Sequence, residues 1–261
     1  MNTPASAVSQ TWVITTRYLR QLYREPAVIF ITLTQPVIWL LLFGALFEKV
    51  AKLPGFGGGN YHTYLTPGIV VMTAIFASSW TGMSFIEDMQ TGVMDRFLTA
   101  PVHRGALIGA SLAYQAVVTV VQSAVIILLG WATGAAFPGG AGGIAVLIGI
   151  SVLIALAMAG ISNAFALLTR QREALIGAST TLVMPLTFLS AAFLPLLLVP
   201  GWIAAIARFN PVNWAATGGR IAVASHASWG TVGSYAAFLV VALVVTAAAS
   251  TRAFRAYQRS M

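Results

Sequence analysis

Apolar residues run along this chain in five long intervals, and charge is confined to the joints between them. No Asp, Glu, Lys or Arg occurs from Pro26 to Phe47, Leu53 to Ile86, Gly105 to Thr169, Ala174 to Ala207 or Ile221 to Thr251. About 20 apolar residues in helix cross a hydrocarbon core of roughly 30 Å. Each interval is long enough for one span, and the third is long enough for two. Backbone amides in lipid must bond within their own segment, which selects helices. The pattern therefore predicts an all-α polytopic membrane protein, a single transmembrane domain over residues 1–261. Its six spans are placed near 26–47, 63–85, 105–132, 143–168, 174–196 and 229–251. The third interval divides at Thr133–Gly140, where glycine and proline cluster.

Three stretches fall outside that scheme. Leu196 to Ser228 carries Pro200, Arg208, the turn Asn210-Pro211-Val212-Asn213 and Arg220, so no continuous span fits there. Two short helices near 201–208 and 213–225 are expected instead, lying at the outer interface or re-entering partway. Trp202, Trp214 and Trp229 suit interfacial depth. Val8 to Arg24 has Val8, Trp12, Leu19, Leu22 and Tyr23 at helical spacing, with Arg17, Arg20 and Arg24 grouped elsewhere on the wheel. It reads as an amphipathic helix in the membrane interface, ended by Pro26. Between spans two and three, Phe85, Met89, Val93 and Phe97 form a stripe at i, i+4, beside Ile86, Met94 and Leu98. The same loop holds Glu87, Asp88 and Asp95, three of the chain's six acidic residues. By pattern alone this concentration reads equally as a solvated loop or a docking surface.

Composition agrees: 58% of the chain is hydrophobic and 8% is charged, against roughly 25% charged in soluble domains. Mean hydropathy is +0.86. The net charge of +8 is spread over span ends and makes no nucleic-acid face. Six spans put both termini on one side. That side receives ten of the fourteen basic residues, and Lys49, Lys52, Arg208 and Arg220 fall on the other. Basic loops stay in the cytoplasm, so both termini are expected there, in a multi-pass protein of the cell membrane. The stretch after Arg17, Arg20 and Arg24 is too long for a signal-peptide core and reads as the first span.

Much chemistry is missing. There is no cysteine, so neither disulfides nor thiolate metal sites form, and His62, His103 and His226 are scattered over loops. No Gly-x-x-x-x-Gly-Lys-[Ser/Thr] loop occurs, so any ATP must be hydrolysed by a partner. No ionisable residue sits within a span, which argues against a secondary transporter coupled to protons and against an intramembrane hydrolase. Gln35, Gln115, Gln122 and Asn163 do lie in spans, where interhelical hydrogen bonding is the plainer reading.

The runs Tyr64-Leu65-Thr66-Pro67-Gly68-Ile69, Glu87-Asp88, Gly92-Val93-Met94-Asp95-Arg96-Phe97, Pro101-Val102-His103-Arg104 and Asn210-Pro211-Val212-Asn213-Trp214, with Gly219-Arg220 after it, resemble the type-2 ABC permease family. The similarity is greatest to the daunorubicin-resistance-like branch of drug-exporter membrane subunits and covers nearly the whole chain. His103 stands where that family often has serine. The resemblance implies a permease subunit, paired with an identical copy or a paralogue, that docks a separate ATPase on its cytoplasmic side; ATP and magnesium would be bound there, and none in this chain. Residues 86–100 would be a coupling helix, with Glu87, Asp88, Gly92, Asp95, Arg96 and Pro101 as coupling residues, and 8–24 the connecting helix. ATP-driven closure would switch the path from inward to outward facing.

Span five carries Pro185, which should kink it, and Met184, Phe188 and Phe193 offer an adaptable apolar wall. These four are the candidate substrate path, expected to meet span two at a dimer interface and to pass hydrophobic drug-like compounds or lipids. Export of polysaccharide or lipo-oligosaccharide is the alternative within the family.

Overall fold

A computed structural model describes residues 7–24, 26–49, 60–94, 96 and 104–259. Asp95 and Pro101, two of the expected coupling residues, lie outside them, as do Phe97 and His103. Among the described residues the α-helices follow in order: α1 Ala7–Arg24, α2 Pro26–Leu46, α3 Tyr61–Ser78, α4 Met83–Gln90, α5 Arg104–Ala132, α6 Gly140–Thr169, α7 Arg172–Phe188, α8 Gly201–Ala207, α9 Pro211–Val223 and α10 Trp229–Arg259. No strand occurs among the described residues. Among the described residues four stretches are long and apolar enough to cross a membrane: 61–90, 105–132, 140–169 and 229–259, with Phe30–Leu46 of α2 a shorter apolar helix.

The bundle is built around α3. Every residue from Leu65 to Ile75 is buried, as suits a helix apolar on all sides. Its Leu65, Ile69 and Met72 pack with Leu40 of α2, Ile126 of α5 and Leu147 of α6. Val71 and Ile75 face a second cluster with Ile154 of α6, Val183 of α7, Val212 of α9 and Leu239 of α10. A third cluster closes the opposite end, joining Ile14 and Tyr18 of α1, Phe85 of α4, Met94, Leu107 of α5, Leu167 of α6 and Phe254 of α10. By contrast α10 is peripheral, with Phe238, Val241, Val244 and Val245 all exposed.

The 61–90 stretch breaks at Ser79–Gly82, and serines from neighbouring helices satisfy the freed backbone. Ser162 Oγ donates to the Ser79 carbonyl (2.7 Å) and accepts from the Gly82 N–H (3.0 Å). Ser179 Oγ donates to the same carbonyl at 2.9 Å. Irregular backbone inside an apolar bundle needs such partners.

Two expected helices are shorter than their hydrophobic stretches. Span five, expected over 174–196, is helical only to Phe188. Pro185 removes one N–H from within the ladder, the helix closes one turn later from Leu189 N–H to the Pro185 carbonyl, and the chain runs on without helix to the short 3-10 turn at Leu196–Leu198. The helix expected over 86–100 stops after Gln90, because Gly92 adopts φ +70°, a left-handed conformation open to glycine at little cost. Val93, Met94 and Arg96 resume helical geometry beyond the turn. Helices α8 and α9 fall close to the two short stretches expected to be helical, 201–208 and 213–225.

Candidate functional site

The acidic residues of α4 hold that helix to its neighbours. Asp88 is 6% exposed; its carboxylate accepts from the Arg17 guanidinium at 3.0 Å and from the Tyr18 hydroxyl at 3.3 Å. Burial, reinforced by the Asp88 charge, raises the Tyr18 pKa above its usual value, so the hydroxyl stays protonated and donates. Glu87 points outward, and its carboxylate meets Arg172 of α7 at 3.4 Å. Gln90 accepts from the same arginine at 3.0 Å. Thus α4 is fastened to α1 on one side and to the start of α7 on the other. Gly92 follows as the turn, and Arg96 is exposed beyond it. Of the expected coupling residues, Glu87 and Arg96 are surface groups, and Asp88 is an internal brace. Sequence reading missed this brace because Arg17 and Asp88 are 71 positions apart.

At the other end of the bundle, the Asn-Pro motif and Arg220 close the break in span five. Asn210 donates through Nδ2 to the carbonyls of Leu186 (2.6 Å) and Leu189 (2.8 Å), while its Oδ1 accepts from Val212 N–H (2.9 Å). One side chain therefore caps the end of α7 and the start of α9. Pro211 takes the first helical position, where a missing N–H does no harm. Asn213 Oδ1 accepts from Ala191 N–H at 3.1 Å.

Arg220 reaches across from α9, donating to the carbonyls of Tyr64 (2.9 Å) and Ala192 (2.7 Å). Its guanidinium lies 3.8 Å from the Tyr64 ring centroid. Gly68 makes this approach possible, since a Cβ there would collide with the Ala192 carbonyl and the guanidinium. Counted from sequence as a loop charge, Arg220 is instead a part-buried tie between α3, α9 and the segment after α7.

The candidate path residues converge, though not as a continuous helix. Met184, Pro185 and Phe188 are exposed near the end of α7. Phe193 comes from the non-helical segment, with its ring 5.6 Å from that of Phe188. Trp39 of α2 joins them at 5.9 Å from Phe188 and 5.4 Å from Phe193, and Phe43 lies 5.1 Å from Phe193. α2 brings Trp39 and Phe43 to this surface, while Tyr61 and Tyr64 of the enclosed α3 hold the segment after α7 by donating to the Phe193 and Ala191 carbonyls.

Residues 9–223 match the profile of the ABC-2 type transporter family, more than half of the chain. The chain belongs to the ABC-2 type transporter family. It is 31% identical over 223 residues to the ycf38 transport permease of Cyanophora paradoxa, covering 85% of this chain and 76% of that one. It is 28% identical over 235 residues to the daunorubicin resistance ABC transporter permease protein DrrB1 of Streptomyces coeruleorubidus, covering 88% and 80%. The doxorubicin resistance ABC transporter permease protein DrrC of Mycobacterium tuberculosis is 24% identical over 208 residues, covering 80% and 74%. In this ABC-2 chain the matched region takes in α4 and its brace, the Asn-Pro cap and Arg220. It ends at Val223, before α10.

Of the polar groups buried in spans, Gln115 accepts from Thr81 (3.0 Å) and donates to Thr119 (3.2 Å). Asn163 donates to Ser111 at 3.1 Å. Asn163 thus joins α6 to α5, and Gln115 ties α5 to the turn between α3 and α4, as expected of amides in an apolar bundle.

Proposed function

We propose that the chain is the membrane subunit of an ATP-driven exporter, carrying hydrophobic drug-like compounds or lipids outward by alternating access. The observation that carries this reading is the double fastening of α4, by Asp88 to Arg17 and Tyr18 and by Glu87 to Arg172. A push on α4 is passed to the α1 helix and to the foot of α7, whose far end bears the aromatic surface. The partner that pushes is a separate ATPase subunit, which binds ATP and magnesium; this chain supplies no catalysis. A second permease copy or a paralogue completes the conduit in the lipid bilayer, and nucleic acid has no part.

In this reading α2, the 61–90 pair, α5, α6, α7 with its extension, and α10 are the six spans, and α8 and α9 re-enter from outside. Arg220 is held by backbone carbonyls and no longer counts as a loop charge. The basic bias then becomes ten against the remaining three, favouring cytoplasmic termini in the cell membrane. Cysteines placed at Ser9 and Gln258 should resist impermeant thiol reagents in sealed cells and react after lysis; labelling in sealed cells would overturn this topology.

The cluster of Trp39, Phe43, Phe188 and Phe193 supports a second reading within the same class, export of a polysaccharide or lipo-oligosaccharide whose sugar rings stack on aromatic faces. The deciding experiment is co-expression with a cognate ABC ATPase. The expected result is a complex with two copies of each subunit, in which export needs ATP and the drug panel, not a glycan, is the cargo. ATP turnover by the purified chain alone contradicts the assignment.

A further inference from the structure

A cavity of about 550 Å³ opens between α1, α2, the α3–α4 junction and α5, away from the aromatic surface. Its volume falls in the range of small-molecule sites, about 300–1,000 Å³. Thr81, Ser84 and Gln115 give it a polar side, and Ala77, Trp80 and Val118 an apolar one. From Ser111 to Gln122, both lining it on α5, eleven helical steps measure about 16 Å. The charges at one end cancel within the protein, Arg17 against Asp88 and Glu87 against Arg172.

The Gln122 end holds an unmade hydrogen bond. Gln122 is 2% exposed. Its Nε2 donates to Thr32 Oγ1 at 3.1 Å, and its Oε1 has no partner. Leaving a buried polar atom unpaired is costly, and native structures rarely tolerate one without a ligand or water to meet it. The terminal amide torsion is soft, so a small rotation presents the free end of the amide to the cavity. A hydroxyl can donate to that end or accept from it, whichever way the amide is turned.

We infer that this cavity binds a neutral amphipathic molecule whose hydroxyl bonds Gln122 and whose apolar face lies on Trp80 and Val118. The inference deepens the exporter reading and rests on it for the direction of arrival, from the cytoplasmic side or the adjoining leaflet. A neutral ligand fits because the charged residues that line the cavity among the described ones, Arg17, Asp88 and Glu87, each meet an opposite charge. A hydroxyl fits because, among the described residues, the buried lining atom left without a partner is a neutral amide oxygen. Such a molecule comes either from the membrane, as a hydroxyl-headed lipid, or from the cytoplasm, as a hydroxylated ring compound.

The chain has no cysteine, so Ala77→Cys places a single reporter thiol on the cavity wall, with Ser84→Cys as an alternative position. The full chain in lipid nanodiscs, without any ATPase, is treated with a small methanethiosulfonate reagent. Dioctanoylglycerol represents the lipid source, estradiol the soluble source, phenanthrene an apolar control and dodecyltrimethylammonium a cationic one. Dioctanoylglycerol, estradiol or both should slow labelling at least tenfold, and which of them does so identifies the source. Gln122→Leu should weaken that protection at least tenfold while leaving any effect of phenanthrene unchanged. Gln122→Met, close in volume, repeats the test should the leucine variant fail to reach the membrane. Absence of protection by both hydroxylated probes overturns the inference, as does equal protection in the Gln122 variants or stronger protection by the cation. Because no ATPase is present, a negative result beside intact ATP-dependent export removes the cavity and leaves the exporter reading standing.

Discussion

Each end of the bundle is tied by an arginine, and the two ties differ in what the arginine holds. At the α9 end, Arg220 bonds two backbone carbonyls and covers a tyrosine ring. At the α4 end, Arg17 bonds a carboxylate, and its side chain is 45% exposed against 8% for Asp88. Carbonyl acceptors belong to the backbone, so Arg220 can be released only by moving α3 or the segment after α7. An ion pair with one partner near solvent is screened by salt and contributes about 0–1 kcal/mol. The α9 end is thus a fixed staple, and the α4 end a tie that orients a moving part at little cost in stability.

The largest expected effect of breaking either end is at the staple. Arg220→Ala removes two charge-assisted hydrogen bonds, each worth about 1.5–3 kcal/mol, and strips the Tyr64 and Ala192 carbonyls of their donor. Membrane abundance and detergent melting temperature should both fall sharply. Arg220→Lys should lie between, since an ammonium lacks the fork that spans both carbonyls. Asn210→Ala comes next. Losing the cap at one helix start costs about 1–2 kcal/mol, and the Leu186 and Leu189 carbonyls lose a donor as well. The same melting assay should show a clear but smaller drop.

At the α4 end the stability effects shrink while the functional ones persist. Gly92→Ala forces a left-handed alanine, about 1–2 kcal/mol. Among the described residues nothing lies within 4 Å of the added Cβ, so the expected loss is conformational. Expression should be nearly normal and export reduced. Asp88→Asn should change the melting temperature least of the bracing variants, and raising salt should reproduce part of its effect on the parent chain. Phe188→Ala should be smaller still in abundance, because the ring is 49% exposed and its loss opens no enclosed cavity. Resistance profiles per molecule in the membrane should change instead. A collapse in abundance with an unchanged profile would make Phe188 a packing residue.

Much of the architecture is legible because burial in lipid leaves a one-dimensional trace. Charge-free intervals mark the apolar helices, Pro200 precedes α8, and Asn210-Pro211 separates α8 from α9. Helix ends were less visible. Pro185 signalled a kink, whereas α7 ends one turn later because Asn210, distant in sequence, caps its last carbonyls. Gly92 interrupts a stripe whose i, i+4 spacing continues through it, since periodicity does not register φ. The braces were hidden for the same reason: Arg17 with Asp88 and Arg220 with Tyr64 pair across long sequence separations that a single chain does not reveal. Tyr64 and Gly68 did stand inside a recognised run, and the structure supplies their reason, a groove for the Arg220 guanidinium.

The tie at the α4 end is tested most directly by exchanging its charges. Arg17→Asp, Asp88→Arg and the double exchange are each assembled with the cognate ATPase, and ATP hydrolysis and export are measured on the same preparation. If the pair transmits motion from α4 to α1, each single variant should hydrolyse ATP yet lose most of its export, and the double exchange should recover a large part of it. Normal export in both single variants, or a double exchange no better than either, would contradict that role for the brace.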